Sequence, residues 1–411
     1  MKRGDMNMPN LAINGGPKLR EKDFTPWTQY TEEDQKGLLA TYESGKWGYG
    51  GEQNQKFCEE FAAYTKAKHV ITCANGTVSI ELIMQGLGIG RGDEVIVPPY
   101  TFIASISSLI YIGVTPVFAD IDPETYNLSP EAAEAAITPR TKAIMPVYIG
   151  GCPPEMDKFE ALCEKYGLYL IGDAAQAVGS EYAGRGMADF GIAHSISCQN
   201  SKNLTSGEGG IILTNNDELY ENITCILNMG KGPEGTYTTI GCADGMSEWQ
   251  ASMLRTQLQK LPEQIARRME NAAYLDEQLA KLDFVEPLKK DEKIIRNSYH
   301  LYVLTLKEEM LQGVSRNAFL KALNAEGIPL TPGYMPLYTF PCVDGTYAEK
   351  CIGSRINVAP ECPVTERKAR HEGCWLIHQT LLGDRSDMDD IVNGLIKVYN
   401  NLDELKGGAQ A

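Results

Sequence analysis

The run Ser197-Cys-Gln-Asn-Ser-Lys-Asn-Leu-Thr-Ser-Gly-Glu-Gly-Gly210 places one amine, that of Lys202, in a glycine-rich loop directly after a strand-like stretch. An amine held in this way can form a Schiff base. Upstream, the apolar run Gly167-Leu-Tyr-Leu-Ile-Gly172 ends in Asp173-Ala-Ala-Gln176, which is typical of a buried strand with a carboxylate at its C-terminal end. Pyridoxal 5'-phosphate uses a lysine and an acidic partner for its ring nitrogen, so the two segments together suggest this cofactor.

The chain around these segments alternates short apolar runs with helical patterns between residues 68 and 215, which predicts a doubly wound parallel sheet. A long helical stretch, Ser247 to Leu279, follows, and we expect Pro262 to break it. It leads into a smaller α+β domain. We therefore predict a large cofactor-binding domain over 14–265 and a small C-terminal domain over 266–405. The predicted strands of the large domain are His69–Cys73, Glu94–Val97, Thr115–Phe118, Ala143–Val147, Leu168–Ile171 and Ile211–Thr214.

Composition indicates a soluble enzyme. The 411 residues are 43% hydrophobic and 22% charged, enough for a large core, and no run approaches the length of a membrane span. The first residues, 1–9, lack the apolar core of a signal peptide, and the 11 cysteines are an odd number scattered through apolar segments, so we expect a cytoplasmic protein. A net charge of −16 argues against nucleic acid or an anionic membrane as a partner.

A second chemical motif is Cys73-Ala-Asn-Gly-Thr77, where a strand turns directly into a helix. Backbone N–H groups at a helix start bind phosphate without requiring a basic protein. An ordinary turn with a threonine near a helix cap is the alternative explanation of this segment. The next strand end, Pro98-Pro-Tyr-Thr-Phe102, brings aromatic side chains to the same edge of the sheet, either to stack on a flat cofactor or to pack in the core.

These motifs, in this order and spacing, resemble the DegT/DnrJ/EryC1/StrS family of sugar aminotransferases, and the likeness runs from about Asn14 through Tyr399. The resemblance implies an α/β protein of the aspartate-aminotransferase type (fold type I), with a mainly parallel seven-stranded sheet and a smaller α+β domain. It implies a homodimeric transaminase of sugar biosynthesis that moves an amino group from L-glutamate or L-glutamine to a nucleotide-linked keto-sugar or a keto-cyclitol.

The resemblance also implies roles for individual residues. Lys202 forms the internal aldimine and then acts as the base, and Asp173 pairs with the pyridinium nitrogen. Gln176 reaches the ring hydroxyl, and Phe102 stacks on the ring. The implied phosphate contacts are Gly76, Thr77 and Ser197.

Some positions depart from the family pattern. Asn75 replaces a serine, and Val178 replaces a common histidine. In Gly241-Cys-Ala-Asp-Gly-Met-Ser247, Ala243 stands where relatives carry an asparagine that reaches the phosphate of the neighbouring subunit, and Gly245 replaces an arginine. The cross-subunit phosphate contact is therefore not carried over.

Two alternatives of other classes stay open: a cofactor-dependent sugar dehydratase, in which the lysine is commonly a histidine, and a non-catalytic regulator that binds the same cofactor. The C-terminal segments resemble the branch that acts on scyllo-inosose-type cyclitols. Candidate substrate contacts are the loop Gly45–Gly51, the segment Tyr334–Tyr338, His300 and His378, although a structural role explains each of them more simply.

Two further patterns are weak. Gly86-Leu-Gly-Ile-Gly-Arg-Gly92 follows a helix and precedes a strand, the wrong order for a dinucleotide site. His371, Cys374 and His378 have a spacing that suits a metal on one helix, although packing explains them more simply, and we predict no metal.

Overall fold

The structure, a computed structural model, describes residues 9–343, 345–353, 355–357 and 360–406. Residues 1–8, on which the expectation about a signal peptide largely rests, lie outside this range. The strands in chain order are β1 (His69–Cys73), β2 (Glu94–Val97), β3 (Thr115–Phe118), β4 (Thr141–Ile144), β5 (Tyr169–Asp173), β6 (Glu181–Tyr182), β7 (Arg185–Gly186), β8 (Ala193–Ser197), β9 (Gly210–Thr214), β10 (Val285–Pro287), β11 (Ile294–Arg296), β12 (Leu301–Leu306), β13 (Thr331–Pro332) and β14 (Gly373–Ile377).

Helices alternate with these strands over the first half of the chain, as the sequence predicts. The helix α3 follows β1 directly, and the side chain of Asn75 caps it by accepting a hydrogen bond from the Val78 N–H. The helices are α1 (Glu32–Ser44), α2 (Glu52–Thr65), α3 (Gly76–Gly86), α4 (Ala104–Tyr111), α5 (Pro130–Ala135), α6 (Met156–Tyr166), α7 (Asp217–Leu227), α8 (Glu248–Leu279), α9 (Arg316–Ala325), α10 (Thr346–Ile352), α11 (Pro363–Arg367) and α12 (Arg385–Asn400).

The large sheet has seven strands in the order β1-β9-β8-β5-β4-β2-β3. The pairs from β8 to β3 are parallel, whereas β9 runs antiparallel to both of its neighbours. The prediction of a mainly parallel seven-stranded sheet is therefore confirmed. Strands β2, β8 and β9 are buried along their whole length, because helices cover both faces of the sheet.

The expectation that Pro262 breaks the long helix is wrong. Helix α8 runs without interruption from Glu248 to Leu279, with Pro262 inside it. A proline removes one main-chain hydrogen bond and crowds the preceding turn. Here the helix buries a stripe of side chains on both sides of the proline, from Leu254 to Leu275, against the two main cores. This packing maintains a single helix.

A second, antiparallel sheet follows α8 in the order β10-β12-β14-β13. Helices α9 and α12 pack beside it around Phe319, Leu376 and Leu395. The predicted boundary at residue 265 falls within α8, and it stays a prediction.

Among the described residues, no helix has both the length and the apolar character needed to cross a membrane.

Candidate active site

A cavity of about 790 Å³ opens at the ends of β1, β5 and β8. Its lining includes every site residue named from the sequence: Gly76, Thr77, Phe102, Asp173, Gln176, Ser197 and Lys202. Three motifs that are far apart in the chain meet here because parallel strands deliver their C-terminal ends to one edge of the sheet. The structure therefore brings the residues together, while their individual roles stay predictions.

Asp173 is the last residue of β5, and its carboxylate is buried. Oδ2 accepts a hydrogen bond from the Ser105 hydroxyl at 2.6 Å, and Oδ1 accepts one from the Ala175 N–H at 3.2 Å. Burial raises the pKa of Asp173, while these hydrogen bonds and the nearby Lys202 amine act in the opposite direction. A cation placed beside the carboxylate would favour its charged form, so this group suits a protonated ring nitrogen.

Lys202 lies in the loop between β8 and β9. The Cys198 N–H donates to the Gly209 carbonyl at 2.8 Å and closes the base of this loop, and the Lys202 N–H donates to the Gln199 carbonyl at 2.8 Å. Burial lowers the pKa of the Lys202 amine to about 8, against the attraction of Asp173. The amine can therefore exchange a proton near neutral pH, as a nucleophile or general base must.

The start of α3 forms one end of the cavity. The first N–H groups of a helix have no partner within the helix, and here they belong to Gly76 and Thr77 at the cavity wall. Gly76 lies so close to β8 that a Cβ atom on it would come within 2.8 Å of the Ser197 Cβ. Backbone donors, a helix dipole and a serine at such close quarters fit a phosphate group.

Polar side chains and one aromatic ring complete the wall. Gln176 accepts from the Gly150 N–H through Oε1 and donates to the Tyr334 hydroxyl at 2.9 Å, which leaves the second N–H of its amide available. Phe102 is 57% exposed although it lines the cavity, so its ring is free to cover a flat ligand. His300 also lines the cavity and contacts the Asn203 side chain.

Of the candidate substrate contacts, Tyr334 and His300 line the cavity, whereas His378 does not. Among the described residues, the loop Gly45–Gly51 also contributes none to the lining. Its Tyr49 instead lies against Gly245, where an added Cβ atom would come within 2.2 Å of the tyrosine ring. A side chain at position 245 would therefore clash with the ring of Tyr49 in this conformation.

The three residues with metal-like spacing do not share a helix. His371 belongs to a π-helical turn, Cys374 lies in β14, and His378 follows that strand. Among the described residues, no cluster of three or more potential metal ligands forms.

Sequence reasoning missed several residues around the site. The sequence predicted no role for Ser105, whose hydroxyl donates a hydrogen bond to Asp173. Trp27 and Arg268 gave no signal, because each reaches the neighbourhood of Lys202 from a distant part of the chain. An isolated tryptophan and an arginine in a long helix have many ordinary explanations.

Comparison with known proteins gives a consistent result. Residues 28–395 match the model of the DegT/DnrJ/EryC1/StrS aminotransferase family. The L-glutamine:2-deoxy-scyllo-inosose aminotransferase of Streptomyces paromomycinus is 36% identical, over 95% of this chain and 98% of that protein. A putative L-glutamine:3-amino-2,3-dideoxy-scyllo-inosose aminotransferase of Streptoalloteichus tenebrarius is 32% identical, over 96% of this chain and 99% of that protein.

Solved structures agree. The crystal structure of an aminotransferase from Psychrobacter cryohalolentis superposes with a TM-score of 0.85 at 30% identity, covering 92% of this chain and 100% of that one. The predicted aspartate-aminotransferase-like architecture (fold type I) is confirmed.

Proposed function

Since the chain belongs to the DegT/DnrJ/EryC1/StrS aminotransferase family and is a transaminase, we propose that it moves the amino group of L-glutamine onto a keto-cyclitol of the scyllo-inosose type. We further propose pyridoxal 5'-phosphate as its cofactor. The observation that carries this proposal is the shared cavity: the Lys202 amine, the Asp173 carboxylate and the open start of α3 all face it. These groups suit an aldehyde, a ring nitrogen and a phosphate.

The chain's own residues divide the work. When bound, pyridoxal phosphate supplies an electron sink for the carbon that loses its proton. Asp173, held by Ser105, keeps a proton on the ring nitrogen. Lys202 takes the proton from the donor carbon and returns one during the transfer, a task suited to its pKa of about 8. Gly76, Thr77 and Ser197 hold the phosphate, while Phe102 and Gln176 hold the ring.

The cavity itself favours a neutral acceptor. Among the described residues that line it, Lys202 is the only lysine or arginine, and the polar groups are mainly amides and hydroxyls, including those of Gln199, Ser201 and Tyr334. Hydroxyls of a cyclitol suit such partners, whereas a nucleotide diphosphate calls for cationic side chains. The named relatives act on cyclitol ketones with L-glutamine, which supports the same acceptor and donor.

The test is a half-reaction followed by product analysis. Purified protein loaded with pyridoxal phosphate should absorb visible light and lose that band when L-glutamine is added. Addition of 2-deoxy-scyllo-inosose should restore the band and give the amine, identified by mass spectrometry. A nucleotide-linked keto-sugar serves as the competing acceptor, L-glutamate as the competing donor, and Lys202→Ala as the inactive control. Transamination by that variant at the parental rate would refute the assignment of Lys202.

We also propose a homodimer. An aromatic surface patch spans α1, the loop after it and the start of α8. It is defined as Leu39, Tyr42, Trp47 and Trp249, of which the first three are exposed and Trp249 is half-buried. Trp47 lies 5.7 Å from Trp249 and 6.1 Å from Tyr42, and Tyr42 is 61% exposed. Aromatic side chains that cluster at the protein surface are typical of a protein–protein interface. Sedimentation should show a dimer that Trp47→Arg weakens; an unaffected dimer would place the interface elsewhere.

The cytoplasm is the proposed compartment. All 11 cysteines are free in the structure, among them the buried pair Cys73 and Cys198 near the cavity. Free thiols throughout a chain fit a reducing environment. Fractionation of the native cells with an antibody would test this proposal.

A further inference from the structure

Two main-chain carbonyl groups directly before Lys202 are held by side chains from outside its loop. The indole N–H of Trp27 donates to the Asn200 carbonyl at 2.8 Å. The Nε2 atom of His378 lies 2.9 Å from the Ser201 carbonyl. Trp27 comes from the N-terminal segment and His378 from the end of β14, so two distant parts of the chain converge on one turn.

Behind His378 lies Arg268 of α8, which is fully buried. Its Nη2 atom is 3.2 Å from Nδ1 of His378. A guanidinium group only donates hydrogen bonds, so Nδ1 must accept and carry no proton. A carbonyl oxygen only accepts, so Nε2 must carry the proton. The two contacts together therefore require one tautomer of a neutral imidazole.

The setting of Arg268 is unusual for a buried cation. Among the described residues, its Nε and Nη1 atoms have no hydrogen-bond partner, and no carboxylate forms an ion pair with it. The ring of Trp27 lies 5.9 Å from its Cζ atom and meets His378 edge-on at 4.5 Å. A buried charge without a counter-ion destabilises a fold, so stability alone does not explain this residue.

Burial, and then the charge of Arg268, hold the pKa of His378 well below its usual range. The imidazole therefore stays neutral, as the two hydrogen bonds require. Protonation would place an N–H group against the guanidinium and break the chain of contacts.

We propose that Trp27, Arg268 and His378 form a positioning cluster that fixes the main chain leading into Lys202, and that Arg268 acts by setting which nitrogen of His378 carries the proton. The proposal rests on the proposed function of Lys202 as the reactive amine. None of the three is a catalytic residue, because each acts through the loop.

Asn203, the residue after Lys202, is also held by hydrogen bonds, so the chain is fixed on both sides of the lysine. The Asn203 side chain donates to the Ser298 carbonyl at 2.8 Å and contacts Nδ1 of His300 at 3.2 Å. With both flanks fixed, the amine has a restricted range of positions in the cavity. Reactions between positioned groups are sensitive to displacements of about 1 Å, so loss of the cluster should lower kcat more than it changes KM.

The decisive measurement is made on cofactor-free protein, where Lys202 can be followed without any turnover. Trace labelling with acetic anhydride across a pH series, with peptide mass spectrometry, gives the pKa of the Lys202 amine. His378→Leu removes the donor to Ser201, whereas His378→Gln retains an amide N–H that can replace it. Trp27→Phe removes only the indole donor. Arg267→Met is the matched control, since Arg267 is the exposed neighbour of Arg268 and pairs with Glu270.

In His378→Leu the loosened loop should let the amine reach water, and its pKa should rise. A rise of one unit from about 8 would slow labelling at pH 8 about fivefold. We expect Trp27→Phe to slow it less, and His378→Gln and Arg267→Met to match the parent. In loaded enzyme, kcat with L-glutamine should fall about tenfold or more in His378→Leu with KM nearly unchanged.

Parental labelling of Lys202 in a folded His378→Leu variant would overturn the proposal, as would equal loss in His378→Gln and His378→Leu. Circular dichroism establishes that each variant is folded. If His378→Leu does not fold, Trp27→Phe decides, and parental labelling in that variant overturns the proposal. Failure of the parent to bind pyridoxal phosphate would instead refute the proposed function, and the labelling result would stand separately.

Discussion

Replacement of Lys202 by methionine should stabilise the cofactor-free protein at neutral pH. Burial lowers the pKa of the amine to about 8 in the folded state from an ordinary value of 10.5. Folding therefore disfavours the charged form, and a protonated Lys202 costs stability wherever the pH lies below the ordinary value. A shift of this size corresponds to about 3 kcal/mol at pH 7. Because the residue as a whole is only half-buried, solvent screening makes this figure an upper bound.

The sign of the shift fixes the pH window. Between about pH 8 and pH 10.5 the unfolded chain binds more protons than the folded one. The free energy of unfolding of the parent therefore rises with pH relative to that of the variant. The advantage of Lys202→Met should fall to about 2 kcal/mol at pH 9 and to under about 1 kcal/mol at pH 10. Loss of the amine also removes an attraction on Asp173, so the observed gain should lie below these limits.

Urea unfolding followed by circular dichroism at pH 7, 9 and 10 measures the difference directly. The matched control is Lys142→Met, which removes an exposed lysine at β4. We expect the control to follow the parent at each pH. A Lys202→Met variant that is less stable than the parent at pH 7, or whose advantage persists unchanged at pH 10, would refute the reasoning. In that case the amine would not be held in a desolvated position.

Three further changes test the rest of the cavity. Asp173→Asn should move the pKa of Lys202 below about 8, because the carboxylate is the main influence that raises it; the labelling series measures this. Gly76→Ala places a Cβ atom 2.8 Å from the Cβ of Ser197, so a fluorescence titration should show at least about tenfold weaker binding of pyridoxal phosphate with an unchanged circular dichroism spectrum. Ser105→Ala removes a hydrogen bond that favours the charged form of Asp173. As the pH is lowered, the variant should therefore lose cofactor binding at a higher pH than the parent does, which titrations between pH 5 and 8 would show.

The sequence was most informative about the fold where burial dominates. The strands β1, β2 and β3 lie at the predicted positions, because each is a short apolar run between helical patterns. The predicted Ala143–Val147 lies in part beyond its strand, since β4 ends at Ile144 and the chain then turns toward the cavity. The apolar run continues past the last hydrogen bond of the sheet, and the sequence pattern alone does not distinguish residues within the strand from apolar residues that follow it.

The error at Pro262 has a different origin. Local propensity counts the missing N–H and the steric clash of a proline, whereas the contacts that maintain α8 come from distant elements. The same limit applies to the site. Lys202 and Asp173 were visible because each lies in a distinctive local motif. Arg268 and Trp27 were not, because their importance arises only when the chain is folded around the loop.

One departure from the family pattern, Gly245, has a packing consequence in this structure. A side chain at position 245 and the ring of Tyr49 would occupy the same space, since a Cβ atom at that position would come within 2.2 Å of the ring. Gly245 and Tyr49, which come from two distant segments, therefore restrict each other's side chains by packing. Tyr49 and Trp47 belong to one loop, and Trp47 belongs to the aromatic surface patch, so this contact adjoins the face that we propose meets a second copy. A side chain at position 245 thus bears on the proposed subunit contact, whereas the groups proposed to hold the cofactor, Lys202 and Asp173, line the cavity, to which Gly245 does not contribute.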